Sequence, residues 1–223
     1  YPAFYLSSFK PIRVLKGKLT AGFKRSHLRS ILVVFQFSIS IILIIGTIVI
    51  FNQLNFMQSR KIGFDRSQVL VLHNTWPLDK QIQSFREMML KIPGVENATV
   101  TSTMPTQESY DQNAWFPEST LDASRTVITN NMYIDPYYIP TLGMEMAEGR
   151  NFSKDLATDS TAIILNEATV KLLGWKEPLK EVLYSPRNNN RVVAYRVIGV
   201  VKDFNFGSMR NKVAPMILVP TPF

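Results

Sequence analysis

The sequence predicts an α+β (α/β-like) domain outside the cytoplasm, attached to one N-terminal transmembrane helix that runs on as a stalk. Three observations carry this expectation. The stretch Ile31 to Phe51 is 21 residues long and carries no charge. Residues 1–64 hold nine Lys or Arg and no acid, whereas residues 65–223 hold sixteen basic against seventeen acidic side chains, so the formal charge of +8 belongs to the N-terminal third. Beyond Gly63 the apolar residues recur with both strand and helix periods.

The span comes first. Sixteen of its 21 residues are Ile, Leu, Val or Phe. As a helix it would cover about 31 Å, matching a hydrocarbon core of about 30 Å. Insertion of those side chains contributes on the order of −5 to −10 kcal/mol, which outweighs the un-ionised Gln36, Ser38, Ser40, Gly46 and Thr47. A signal peptide has a shorter apolar region ending at a small-residue cleavage site; here thirty residues precede the run. A buried soluble helix would need a larger core than the remaining chain supplies. Seven basic residues before the span (Lys10, Arg13, Lys16, Lys18, Lys24, Arg25, Arg29) place that flank in the cytoplasm and residues from about 60 onward outside. Between Lys10 and Arg29 the one aromatic is Phe23, so the basic flank reads as attraction to anionic lipid and not as a nucleic-acid surface. Gln36, Ser40 and Thr47 fall within about 40° of one another on a helix. They mark a face that would pack against other membrane helices, or else a scatter of small polar residues. Residues 52–58 lack Pro and Gly and continue the helix as a stalk that stops by Gly63. The apolar start, Tyr1 to Phe9, reads as the cytoplasmic end of an earlier membrane helix. The expected division is therefore 1–29 cytoplasmic, 30–62 span and stalk, and 63–223 outer domain.

Within the outer domain, Gln68 to His73 reads as a strand. Lys80 to Ile92 reads as an amphipathic helix, with Ile82, Phe85, Met89 and Ile92 on one face and Pro93-Gly94 as its end. Val95 to Ser102 alternates as a half-exposed strand does. Residues 103–124 read as a loop, Thr126 to Ile134 as a strand, and Pro136 to Leu142 as a short helix before Gly143. Ala162 to Leu165 is a strand. Asn166 caps a helix that ends at Leu173, with Gly174 as its C-terminal cap. Val192 to Val201 is a strand pair or one long strand, and Met216 to Val219 a last strand.

The residues offer little chemistry. With no Cys, disulfides, thiolate metal sites and Cys nucleophiles are excluded. His27 and His73 are the only histidines and fall on opposite sides of the span, too few for a zinc site or a His-based triad. Gly17 and Gly22 have the separation of a phosphate-binding loop, but Phe23 stands where the Lys belongs. Glu145 and Glu148 read as a solvated turn beside Gly149-Arg150. Asn97-Ala98-Thr99 and Asn151-Phe152-Ser153 are glycosylation-type triplets that arise by chance. The expectation is a protein that is not an enzyme, with no catalytic, metal or cofactor residues.

Several stretches together resemble the MacB/FtsX-like family of ABC-transporter permeases. These are "YPAFYLSSFKPIRVLKGK" (Tyr1 to Lys18), "LRSILVVFQFSISIILIIGTIVIFNQLNFM" (Leu28 to Met57), "ILNEATVKLLGW" (Ile164 to Trp175) and "VIGVVKDFNFGSM" (Val197 to Met209). The resemblance implies a MacB-like periplasmic core domain in the second half of a tandem permease. It also implies a bacterial inner-membrane location and a cytoplasmic ABC-type ATPase as partner. A second permease copy or homodimer, and a periplasmic protein or peptide, are further partners it implies. The implied role is coupling of ATPase motion to the outer domain for export or mechanotransmission. A membrane-anchored sensor or ligand-binding domain would share the span and the outer domain, and stands as the alternative.

Overall fold

A computed structural model describes residues 22–59, 62–105, 111–187, 191–207 and 211–221. They divide between Arg60 and Lys61 into two compact units. The first is a single helix, α1 (Gly22–Ser59), 38 residues without a break. Within it, His27–Met57 is long and apolar enough to cross a membrane. Its side chains from His27 to Met57 are exposed, and only the backbone at Gly46 is partly covered. The helix continues through Asn52 to Ser59, as the absence of Pro and Gly there predicts. The stretch Tyr1 to Phe9 lies outside the described residues.

The second unit is a mixed α+β domain. Its elements are α2 (Ile82–Met89), β1 (Asp111–Trp115), β2 (Val127–Ile134), α3 (Tyr138–Thr141), β3 (Met146–Gly149), β4 (Ala162–Asn166), α4 (Glu167–Leu173), β5 (Val182–Arg187), β6 (Arg191–Val201) and β7 (Met216–Pro220). The strands form one sheet in the order β1-β2-β7-β4-β6-β3, with β5 also paired to β6. The pairs β2–β7 and β4–β6 are parallel; the others are antiparallel. Just after β1, Phe116 exchanges both backbone hydrogen bonds with Tyr184 of β5, at 2.9 and 2.7 Å. The sheet therefore curls until its β1 edge meets β5.

The period-2 alternation of the central strands sorts their side chains onto the two faces. Met132, Ile134, Ala162, Ile164, Val201, Met216 and Leu218 face one cluster, covered by Tyr138, Ile139 and Leu142 around α3 and by Phe204 and Phe206. Ile163, Leu165, Val197, Ile217 and Val219 face the other, enclosed by the curl with Trp115, Leu183 and Tyr195, and flanked by Val170 and Leu173 of α4. All five residues of β4 are buried, as befits a strand covered on both faces.

Asn166 joins these layers. Its side-chain oxygen accepts from the Thr169 N–H (3.0 Å), the Thr169 hydroxyl (2.7 Å) and the Met216 N–H (3.0 Å), and its amide donates to the Ala214 carbonyl (3.0 Å). It is thus both the expected N-cap of α4 and a tie to β7. Gly174 closes the helix in the left-handed conformation, φ 68°. Gly63 also occupies a demanding position: at φ 90°, an added Cβ would lie 2.7 Å from the backbone of Phe204.

Four expectations require correction. Residues 68–73 form no strand; Val69 to Leu72 are exposed, Leu70 to 84%, and among the described residues their backbone has no hydrogen-bonding partner. A run of apolar residues has strand propensity, but here no neighbour supplies a ladder. Residues 95–102 contribute only a bridge between Thr101 and Ile134. Residues 103–124 contain β1, whose polar sequence "DQNAW" hides a strand that buries only its Trp115 end. Residues 145–149 are not a turn, because β3 pairs there with β6. In addition, β5 was not legible, since Pro186 interrupts its pattern, and α2 is shorter than the periodicity suggested.

Replacing Asn166 by Ala would strip a helix cap and take the side-chain donor from the partly buried Ala214 carbonyl, while the Met216 N–H keeps the Thr169 hydroxyl as its acceptor. The expected loss is about 1–3 kcal/mol, read as a lower denaturation midpoint of residues 61–223, a unit expected to melt cooperatively by itself.

Candidate functional site

Among the described residues, no group of three or more His, Cys, Asp or Glu is placed to hold a metal ion. His73 is exposed in the unpaired segment, and His27 lies in α1. Glu145 pairs with Lys202 across to the end of β6, Nζ to Oε2 2.5 Å, both largely exposed. Glu148 lies within β3 and takes no part in that pair.

The three residues singled out on α1 keep their expected register. The Ser40 hydroxyl donates to the Gln36 carbonyl (2.9 Å) and that of Thr47 to the Leu43 carbonyl (2.8 Å), as Ser38 does to Val34 (2.8 Å). Bonds of this i to i−4 kind satisfy the hydroxyls inside their own helix. Gln36, whose amide cannot fold back so economically, is the side chain of this face with the strongest need for an outside partner.

In the outer domain the most concentrated chemistry is a buried polar cluster around Asp135, which follows β2. Its carboxylate accepts from the Thr99 hydroxyl, the Val100 N–H (2.9 Å) and the Tyr137 N–H (3.1 Å). The Arg86 Nε of α2 stands 4.0 Å away and donates to the Ala98 carbonyl at 2.6 Å. The guanidinium lies over the Tyr137 ring, 3.4 Å from its centroid, an arrangement that a partly desolvated cation favours. Burial pushes the Asp135 carboxyl above the usual aspartate range, opposed by its hydrogen bonds and by Arg86. The sequence signal for this cluster is Arg86 itself, which sits on the apolar face of α2, four residues after Ile82 and three before Met89.

A second ionic contact has the opposite character. Arg150 grips Asp159 with two bonds of 2.7 Å, and the Ser153 N–H adds a third at 2.8 Å. The bond from Arg150 holds the Asp159 carboxyl below its ordinary value. This pair staples residues 150–159 and is structural.

A long apolar helix joined in sequence to a mixed α+β domain defines a class of membrane-attached domains. The chain belongs to the MacB-like periplasmic core domain family, whose model matches residues 30–223. Among solved structures it is similar to the periplasmic region of MacB from Actinobacillus actinomycetemcomitans, at 18% identity and TM-score 0.43, over 62% of this chain and 54% of that one. It is also similar to the extracellular domain of the ABC-type transporter YknZ from Gram-positive bacteria, at 15% identity and TM-score 0.42, over 62% of this chain and 61% of that one. The chain thus spans little more than half of the first of these. No curated protein matches it.

The two aspartates give pH responses of opposite sign. Asp159, with its lowered pKa, contributes stability that is present above the ordinary value of 3.8 and is lost as pH falls through the lowered one. Asp159→Asn is therefore expected to flatten the acid limb of a stability–pH curve measured by thermal unfolding, while reducing stability at pH 7.

Proposed function

We propose that this protein is a permease subunit of an ABC transporter, in which a cytoplasmic ATPase moves the outer domain through α1. The observation that carries the reading is the length of α1. Thirty-eight continuous residues extend about 57 Å, roughly twice the hydrocarbon thickness of about 30 Å. The surplus on the outer side, Asn52 to Ser59, is a rigid rod and not a flexible linker. A helix transmits displacement along its axis; a coil of the same length would absorb it. Membership of the MacB-like periplasmic core domain family supports the same reading, with α1 crossing the bacterial inner membrane and the outer domain in the periplasm. The acid-free basic flank supports this orientation. Gln36, with Ser40 and Thr47 beside it, is proposed as the face that meets neighbouring membrane helices, since an amide in hydrocarbon seeks a partner. The outer domain acts by binding and moving, and performs no covalent chemistry.

Two experiments test this. Single cysteines at Lys24 and Asp65, treated with an impermeant thiol reagent in cells whose outer membrane is permeabilised, should label only at position 65; label at 24 alone would reverse the orientation. Asn55→Pro breaks or kinks the rod at about 3 kcal/mol. It should leave insertion and outer-domain folding intact while abolishing ATP-dependent transport in cells. Full transport at normal expression would remove the rod from the mechanism.

A further inference from the structure

Residues 66–100 leave and rejoin the outer domain at two fixed points. On one side the Asp65 N–H donates to the Leu142 carbonyl at 2.7 Å; on the other the Ser102 N–H donates to the Tyr133 carbonyl at 2.9 Å. Between these anchors lie the unpaired segment 69–73, the 3-10 turn Trp76–Gln81, helix α2 and the extended residues 95–100. Among the described residues, neither apolar cluster of the domain draws a member from this stretch. The hydrogen bonds and ionic contacts that tie it to the sheet converge on one place. They are the bonds from Thr99 and Val100 to the Asp135 carboxylate, the bond from the Asp135 N–H to the Val100 carbonyl (3.2 Å), and the stacking of Arg86 on Tyr137. Backbone strain is concentrated in the same stretch. Three of the four described non-glycine residues with positive φ are Gln68, Asn74 and Asp79, and Asp79 (φ 38°, ψ −116°) lies outside every region an L-residue favours.

We infer that residues 66–100 form a flap that opens from the sheet as a unit, hinged at Asp65 and Ser102 and clasped at Asp135. Apolar packing releases only when the core melts, whereas a polar clasp exchanges its bonds for water bonds at a small net difference. The flap can therefore open well below the free energy of global unfolding. Opening exposes Asp135, Tyr137 and the end of β2.

The clasp also sets a pH response. Arg86 is the charged side chain facing Asp135 from α2. Residues 98–101 bring the Thr99 hydroxyl and the Val100 amide, and the turn before α3 brings the Tyr137 amide and ring. Burial raises the closed-state pKa of Asp135, and in the open flap the carboxyl is solvated and ordinary. The closed state then binds the proton more tightly. Acid holds the flap shut, and rising pH loosens it by up to about tenfold in the opening equilibrium per pH unit while Asp135 titrates.

Hydrogen–deuterium exchange on the whole chain in detergent micelles, corrected for intrinsic rates between pH 4 and 7.5, reads this directly. Peptides within residues 82–100 should exchange as a group, at least about tenfold faster relative to intrinsic rates than peptides of β4 and β7. Their protection should fall as pH rises. Asp135→Asn should remove that pH dependence. Arg86→Gln should lower protection of residues 82–100 and leave β4 and β7 unchanged. The flap is refuted if residues 82–100 exchange only with the core, if Asp135→Asn keeps the pH dependence, or if Arg86→Gln loosens β4 and β7 equally.

Discussion

The outer domain depends on Asn166. A strand buried on both faces has no access to water, so the helix that follows it must start with its orphan N–H groups already satisfied. Asn166 meets that need and, with the same side chain, fixes β7 beside β4. Thr169 repeats the tie, its hydroxyl oxygen accepting from the Met216 N–H at 2.9 Å. With β4 and β7 locked antiparallel, β2 and β6 can add in parallel on their outer sides. Both apolar clusters are then defined, because β2, β4 and β7 send alternate residues to opposite faces and a register shift in β6 turns Val197 to one cluster and Val201 to the other.

The parts of this arrangement that sequence made legible are those with a local cause. The long apolar helix follows from composition alone. The α4 helix carries its own start in Asn166 and its own stop in Gly174. The strands β4 and β7 are dense in Ile, Val and Leu because both their faces are covered, and β2 and β6 carry enough β-branched residues to read as strands. What stayed hidden depends on distant neighbours. β1 is polar for most of its length and exists because β2 offers it a ladder. β5 contains Pro186 and exists because β6 is long enough to hold it. The reverse failure is residues 69–73, where a strand-like sequence has no partner. The Asp135 cluster gathers residues 86, 99, 135 and 137, and its one local sign is an arginine on an apolar helix face. The sequence did not show that the Ser40 and Thr47 hydroxyls satisfy themselves within their own helix.

The two buried aspartates show why ionic contacts must be read one at a time. Asp159 is met by a guanidinium in a two-bond fork and is stabilised as an anion. Asp135 has its cation 4.0 Å away and engaged elsewhere, so that its hydrogen bonds and its desolvation pull in opposite directions. One contact closes a loop, and the other sits where two parts of the domain meet.

The approach of Gly63 to Phe204 has a mechanical consequence. Beside it, the Asn205 N–H donates to the Ile62 carbonyl at 2.7 Å. A pull on residue 62 is thereby handed to the residues just past β6, the longest strand of the sheet. β6 shares its hydrogen bonds with β3, β4 and β5, so tension along it loads many bonds in shear at once. The curl, by contrast, is closed at Phe116 and Tyr184 by two bonds, which would yield one after the other. Traction at the entrance of the domain is thus spread over its stiffest strand, and the seam at the far side of the curl is where the sheet would give first.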